Sequence, residues 1–314
     1  MPSLLTAIGA CVSLMILLFA NNLACSKDPA GMAVAGPATE PSGPASPPTT
    51  APAVPYTKTP LVIDGALDED VWKSATAIPV DHVHYKKNLR AAANPMNARY
   101  AYDENYLYIG YETFEKQLLA LGTGKKQGPT HNQREGALIF IPNKKVDVVE
   151  FFIAFDDLHF MWEIHLNAAN QFNDIFCIVP NPSWPVAKSS FAAPFGIMFF
   201  EDPYLPDDGK NTLKTAVRLK PKADGTPATL NDSTDNTGYT AEIRIPWRSL
   251  GAPQAWAQGK PPVFAPAGHE FSILAVCQDA ELPDRYHTSV ANLPDPWFHK
   301  CAPQWPRYTL GPKQ

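Results

Sequence analysis

Residues 98–114 read Ala-Arg-Tyr-Ala-Tyr-Asp-Glu-Asn-Tyr-Leu-Tyr-Ile-Gly-Tyr-Glu-Thr-Phe, and this stretch decides the fold. Two runs rich in Tyr and aliphatic residues flank Asp103-Glu104-Asn105, residue types that favour turns because their short polar side chains bond the local backbone. In the second run Leu107, Ile109 and Tyr111 alternate with other residues. Such a period of two places them on one side of a β-strand. The stretch therefore predicts two antiparallel strands joined by a tight turn.

The same grammar repeats outward in both directions. Short runs rich in β-branched and aromatic residues occupy 148–155, 160–166, 174–179, 215–219, 239–245 and 271–277, with a denser apolar run at 137–141. Gly, Pro, Asn and Asp separate them, and few segments carry a helical period. Pro142, Pro246 and Pro283 fall just after such runs, where a missing N–H ends a strand without breaking its ladder. The expected class is all-β: a two-sheet antiparallel β-sandwich of the jelly-roll or immunoglobulin-like kind.

The ends of the chain have a different texture. The first 24 residues carry no charged side chain, and 4–20 are apolar apart from Thr6 and Ser13, as in the apolar core of a signal peptide. No Lys or Arg precedes that core, so an uncleaved N-terminal helix is the other reading, about 17 residues being the lower limit for a span. The sequence Asn22-Leu23-Ala24-Cys25-Ser26 resembles a bacterial lipoprotein cleavage site, with Ala24 and Cys25 in the expected places and Asn22 departing from the usual aliphatic residue. Lipid on Cys25 would hold the protein at a membrane without a span. Residues 26–55 are Pro, Ala, Gly, Ser and Thr with almost no large apolar side chain, so they cannot offset the entropy of ordering and read as a tether. This gives a signal segment at 1–24, a lipid site and tether at 25–55, and one folded domain at 56–314.

Net charge is −5 and the Lys pairs 125–126 and 144–145 are isolated, which argues against a nucleic-acid partner. Of the five cysteines, Cys177, Cys277 and Cys301 fall in the folded part. Their odd number leaves at least one unpaired. Buried thiols throughout, or one bridge between Cys277 and Cys301, both fit.

Four segments in order resemble the family 9 carbohydrate-binding modules. These are Val62-Ile63-Asp64-Gly65-Ala66-Leu67-Asp68-Glu69-Asp70-Val71-Trp72; the hairpin quoted above; Trp162-Glu163-Ile164-His165-Leu166-Asn167 with Asn173-Asp174 downstream; and Glu242-Ile243-Arg244-Ile245-Pro246-Trp247 followed by Leu250-Gly251. The sequence departs from the family where Leu138 replaces a carboxylate and where an Arg is absent near Cys277-Gln278-Asp279. The resemblance implies non-catalytic binding of a poly- or oligosaccharide beside separate glycoside hydrolases. Calcium also accompanies this group, and the Asp232–Asn236 loop, with Asp232 and Asp235, offers oxygens that a cation or a hairpin turn would use.

Sugar recognition needs flat aromatic faces for C–H surfaces and polar groups for hydroxyls. Trp72, Trp162 and Trp247 lie in or beside strands and are expected in the core. Trp184, Trp297 and Trp305 lie in proline-bounded loops that would hold a ring at the surface. Trp184 and Trp297 are the expected platforms, with Arg285, His287 and His299 as hydrogen-bonding partners. Domains of similar architecture carry haem on Met and His. Met161, Met198 and eight histidines supply the atoms for that alternative, but no spacing selects a pair. A third reading is an envelope interaction protein that keeps the sandwich without sugar binding. No nucleophile elbow, P-loop, Rossmann glycine pattern or recognisable carboxylate pair points to an enzyme.

Overall fold

The computed structural model describes residues 51–83, 94–120, 130–131, 146–154, 160–178, 196–197, 213–231, 235–247, 250, 267–280, 286–290, 293 and 302–313. The signal segment, Cys25, most of the tether and the expected strand at 137–141 lie outside these residues. Residues 48–314 form one compact unit.

The described strands, in chain order, are β1 (Ala53–Val54), β2 (Ile78–Val80), β3 (His82–Val83), β4 (Met96–Tyr102), β5 (Tyr106–Thr113), β6 (Thr130–His131), β7 (Val148–Ala154) and β8 (Phe160–Leu166). There follow β9 (Gln171–Ile178), β10 (Gly196–Ile197), β11 (Lys214–Leu219), β12 (Tyr239–Pro246), β13 (Glu270–Gln278), β14 (Tyr286–Thr288) and β15 (Arg307–Leu310). They build two sheets. The larger runs β1-β15-β13-β7-β8-β9-β10, with β14 bridging β13 and β3, and β6 on β9; the smaller runs β11-β12-β5-β4-β2. All pairings are antiparallel except β1 with β15 and β6 with β9. Among the described residues no helix is long and apolar enough to cross a membrane.

The decisive hairpin forms as its sequence predicts. The Asp103 carboxylate accepts N–H bonds from Asn105 (2.7 Å) and Tyr106 (2.8 Å) and the Tyr108 hydroxyl at 2.6 Å. The turn residue thus satisfies the backbone groups that the reversal exposes. Leu107, Ile109 and Tyr111 enter the inter-sheet core against Val149, Phe151, Ile153, Ile243, Ile245 and Ile273. Trp247 joins that core, and its indole N–H donates to the Asp103 carbonyl at 2.9 Å. Pro246 closes β12 opposite Tyr106, one place further in than expected.

Two differences concern the ends. The sheet begins before Tyr56: Ala53 and Val54 pair with Thr309 and Leu310, and Val54 is buried in the core. Residues expected to belong to the tether therefore carry a strand. Trp305 is not a surface ring; it is 3 % exposed, with its centroid 5.9 Å from that of Phe152. It plugs a second apolar cluster on the outer face of the larger sheet, where an exposed indole would forfeit the burial of its large apolar surface.

The outer face of the smaller sheet is covered by the segment that leads out of β1. Leu61, Ile63, Trp72 and Ala75 pack over Ala101, Tyr106 and Tyr108, with Trp72 carried on a short helix α1 (Asp70–Ser74). Gly110 makes room for this cover, since a Cβ there would stand 2.6 Å from a Leu67 methyl and 3.2 Å from the Trp72 ring. A single carboxylate fastens the segment. Glu242, fully buried, accepts the N–H groups of Asp64 (2.9 Å) and Gly65 (2.8 Å) on one oxygen and the Trp72 indole N–H (2.9 Å) on the other.

Candidate ligand-binding face

With the smaller sheet covered, the outer face of the larger sheet is where polar and aromatic groups meet. Strand alternation sends Val149, Phe151 and Ile153 inward and leaves Glu150 and Phe152 on the outside. Register then places Glu150 opposite His165, and Phe152 opposite Glu163. The His165 Nε2 stands 3.1 Å from Glu163 Oε1 and 4.0 Å from Glu150 Oε1. The result is a carboxylate, imidazole, carboxylate row. Glu163 keeps 16 % of its side chain exposed, whereas His165 keeps none. Glu163 is thus the row's more accessible member.

Beside the row lies a buried apolar cluster of Phe152, Met161, Leu274, Val276, Leu293, Ala302 and Trp305. Glu150, His165 and every member of that cluster are buried, so of these side chains only Glu163 reaches solvent in part. Met161, one of the two methionines considered for haem, is buried within that cluster.

Of the residues expected to bind sugar, His287 is described. His287 is 1 % exposed in β14, directly opposite Cys277 and hence on the core side of the sheet, away from the Glu150 and His165 row. Trp184, Arg285, Trp297 and His299 lie outside the described residues. The larger sheet ends on one side at the Phe160–Ile178 pair and on the other at the Val148–Gln278 pair.

The opposite end of the sheet holds a buried polar group that the sequence reading missed. Asp147 accepts the N–H of Leu119 at 2.7 Å and of Ala280 at 2.9 Å, tying the segment after β5 to the end of β13. The Asn94 amide donates to Glu115 at 2.8 Å and to Asp279 at 2.5 Å. Burial, then the neighbouring carboxylates Glu115, Asp147, Asp279 and Glu150, push the Cys277 thiol well above its ordinary range. Cys277 is a free, buried thiol, and Cys301 lies outside the described residues.

Of the oxygen-rich loop at 232–236, Asp235 and Asn236 are described. Asp235, 64 % exposed, pairs with Lys222 at 3.1 Å. The Asn236 side chain accepts from the Thr229 N–H and donates to the Thr229 carbonyl, both at 3.0 Å. The Asn236 oxygen is thereby committed to closing the loop. Asp232 lies outside the described residues. Among those residues no group of three or more His, Cys, Asp or Glu side chains is gathered for a metal ion.

No family model matches the sequence, and no curated protein matches it. Solved structures do. A family 9 carbohydrate-binding module from Caldicellulosiruptor kristjanssonii in complex with cellotriose matches at 12 % identity, over 84 % of this chain and 94 % of that one, with a TM-score of 0.45. The same module with glucose matches at 13 % identity over 83 % and 97 %, with a TM-score of 0.44. A protein from Bacteroides uniformis, provisionally assigned to carbohydrate binding, matches at 12 % identity over 83 % of this chain and 100 % of that one, with a TM-score of 0.52. The chain thus shares its two-sheet β-sandwich fold with that Bacteroides uniformis protein.

Proposed function

We propose that this chain is a non-catalytic carbohydrate-binding protein, exported and held at a bacterial membrane surface by lipid on Cys25. It captures a poly- or oligosaccharide for separate glycoside hydrolases. The observation that carries the reading is the two-sheet β-sandwich fold that the chain shares with the Bacteroides uniformis protein. The four ordered motifs support it. Trp184 and Trp297 supply the rings that stack on the sugar, and Arg285 and His299 bond its hydroxyls.

The test is a glycan array probed with the full chain, with and without chelator, followed by retardation in a gel containing the best polysaccharide. Retention is expected in both conditions, abolished by Trp184→Ala and Trp297→Ala while thermal unfolding stays unchanged. An array without hits from a protein that unfolds cooperatively would replace this reading with that of an envelope interaction protein.

A further inference from the structure

We propose that residues 52–57 form a mechanical clamp, through which the folded unit can be pulled by its N-terminal segment without unravelling. The inference extends the tethered reading, but its test needs neither lipid nor sugar.

The starting observation is that these six residues bond to both sheets. On the larger sheet, the carbonyls of Pro52 and Val54 accept the N–H groups of Thr309 (3.1 Å) and Gly311 (2.9 Å). On the smaller sheet, the Pro55 carbonyl accepts the Tyr102 N–H at 3.0 Å, and the Thr57 N–H donates to the Tyr102 carbonyl at 2.8 Å. Side chains reinforce both attachments. Val54 is 2 % exposed within the core, the Tyr56 ring meets Tyr102 edge-on at 5.2 Å, and the Tyr102 hydroxyl donates to the Gly311 carbonyl. Glu104 holds Lys313 at 2.6 Å and the Tyr56 hydroxyl at 3.3 Å.

A two-residue strand at a sheet edge is ordinarily the first element to fray. Direction changes that here. Both β1 on β15 and Tyr56 on Tyr102 are parallel pairings. A pull on residue 51, directed back along the chain, slides the whole segment against its partners. The four backbone bonds are then strained together, and Val54 must leave the core in the same step. Resistance to force is set by that barrier and not by equilibrium stability.

Optical-tweezers extension of the full chain through handles at its two ends tests the proposal. Residues 52–57 are expected to stay docked until the main rupture, so that no release of their length precedes it. A short low-force release of this segment before the rupture would overturn the clamp. A second arm uses Thr309→Pro, which removes the N–H given to Pro52 while leaving the Leu310 N–H on His269. Leu274→Ala, in the outer-face cluster, serves as a comparison after its loss of stability has been measured in denaturant. Thr309→Pro should lower the rupture force by more than its equilibrium loss accounts for, with Leu274→Ala as the scale. Equal lowering at equal stability loss would reject the clamp, and should Thr309→Pro not fold, the wild-type release pattern decides alone.

Discussion

The indole N–H of Trp72 donates to the carboxylate of Glu242 at 2.9 Å, across 170 residues of sequence. This bond joins two of the four segments that carry the family resemblance, and gives both a physical reason to occur together. Removing either partner leaves buried polar groups unpaired. Glu242→Leu orphans the Trp72 indole and the amides of Asp64 and Gly65, and should cost about 3 kcal/mol or more. Trp72→Phe should cost about 1–3 kcal/mol for the bond alone. Denaturant unfolding of both single variants and the double variant should give losses that fail to add. Strict additivity would show that the bond contributes nothing.

Burial holds the Glu242 carboxyl above the ordinary glutamate value of 4.5, against the opposing pull of its three donors. The folded chain therefore takes up this proton at a higher pH than the unfolded chain does. The group's contribution is fully present below the ordinary value and is lost as pH rises through the raised one. As pH falls from neutrality toward 4.5, the wild type should gain stability relative to Glu242→Gln. Denaturant midpoints across that range check the sign, and a relative loss would mean that the donors outweigh burial.

Gly65 and Gly225 share the same left-handed φ of +83°, yet their surroundings differ. A Cβ on Gly65 would lie 2.9 Å from the Arg218 backbone nitrogen, whereas one on Gly225 meets nothing within 4 Å among the described residues. Gly225→Ala should cost about 1 kcal/mol, the strain of the left-handed region alone. Gly65→Ala should cost about 2 kcal/mol or more, since backbone must also shift. Equal losses in thermal or denaturant unfolding would show that the covering segment moves freely over β11.

Two tryptophans near the C-terminus should behave oppositely. Trp305→Ala empties a filled place beside Phe152 and should cost about 3–5 kcal/mol. Trp297→Ala should leave unfolding unchanged and remove sugar retention. Calorimetry and affinity electrophoresis on the two variants separate the roles.

What the sequence disclosed depended on how local each feature is. The hairpin at 98–114 was legible because its turn residue and its alternation sit within one stretch. Trp247 was legible for the same reason. Trp305 was not, because a tryptophan between Gln304 and Pro306 has the same local sequence character whether it faces water or plugs a cluster. The row of Glu150, His165 and Glu163 stayed hidden because it arises from the register of β7 against β8. His287 was chosen for its chemistry, while pairing opposite Cys277 placed it inside. Asn236 was legible as a turn residue, since its partner Thr229 is seven residues away.

Strand β1 escaped notice because Ala53 and Val54 sit in a proline-rich run that offers no alternation. Its presence beside β15 also shields a vulnerable border. A shortened chain beginning at Tyr56 would lose the carbonyls that now occupy the Thr309 and Gly311 N–H groups, and would open a gap where Val54 fills the core. The bared rim of β15 would then be a template for a strand from another molecule. Cutting at the compositional boundary would thus convert a covered edge into a site of self-association, visible as earlier elution on a sizing column than the uncut chain shows. The five residues 51–55, which by composition read as linker, act as a guard against it.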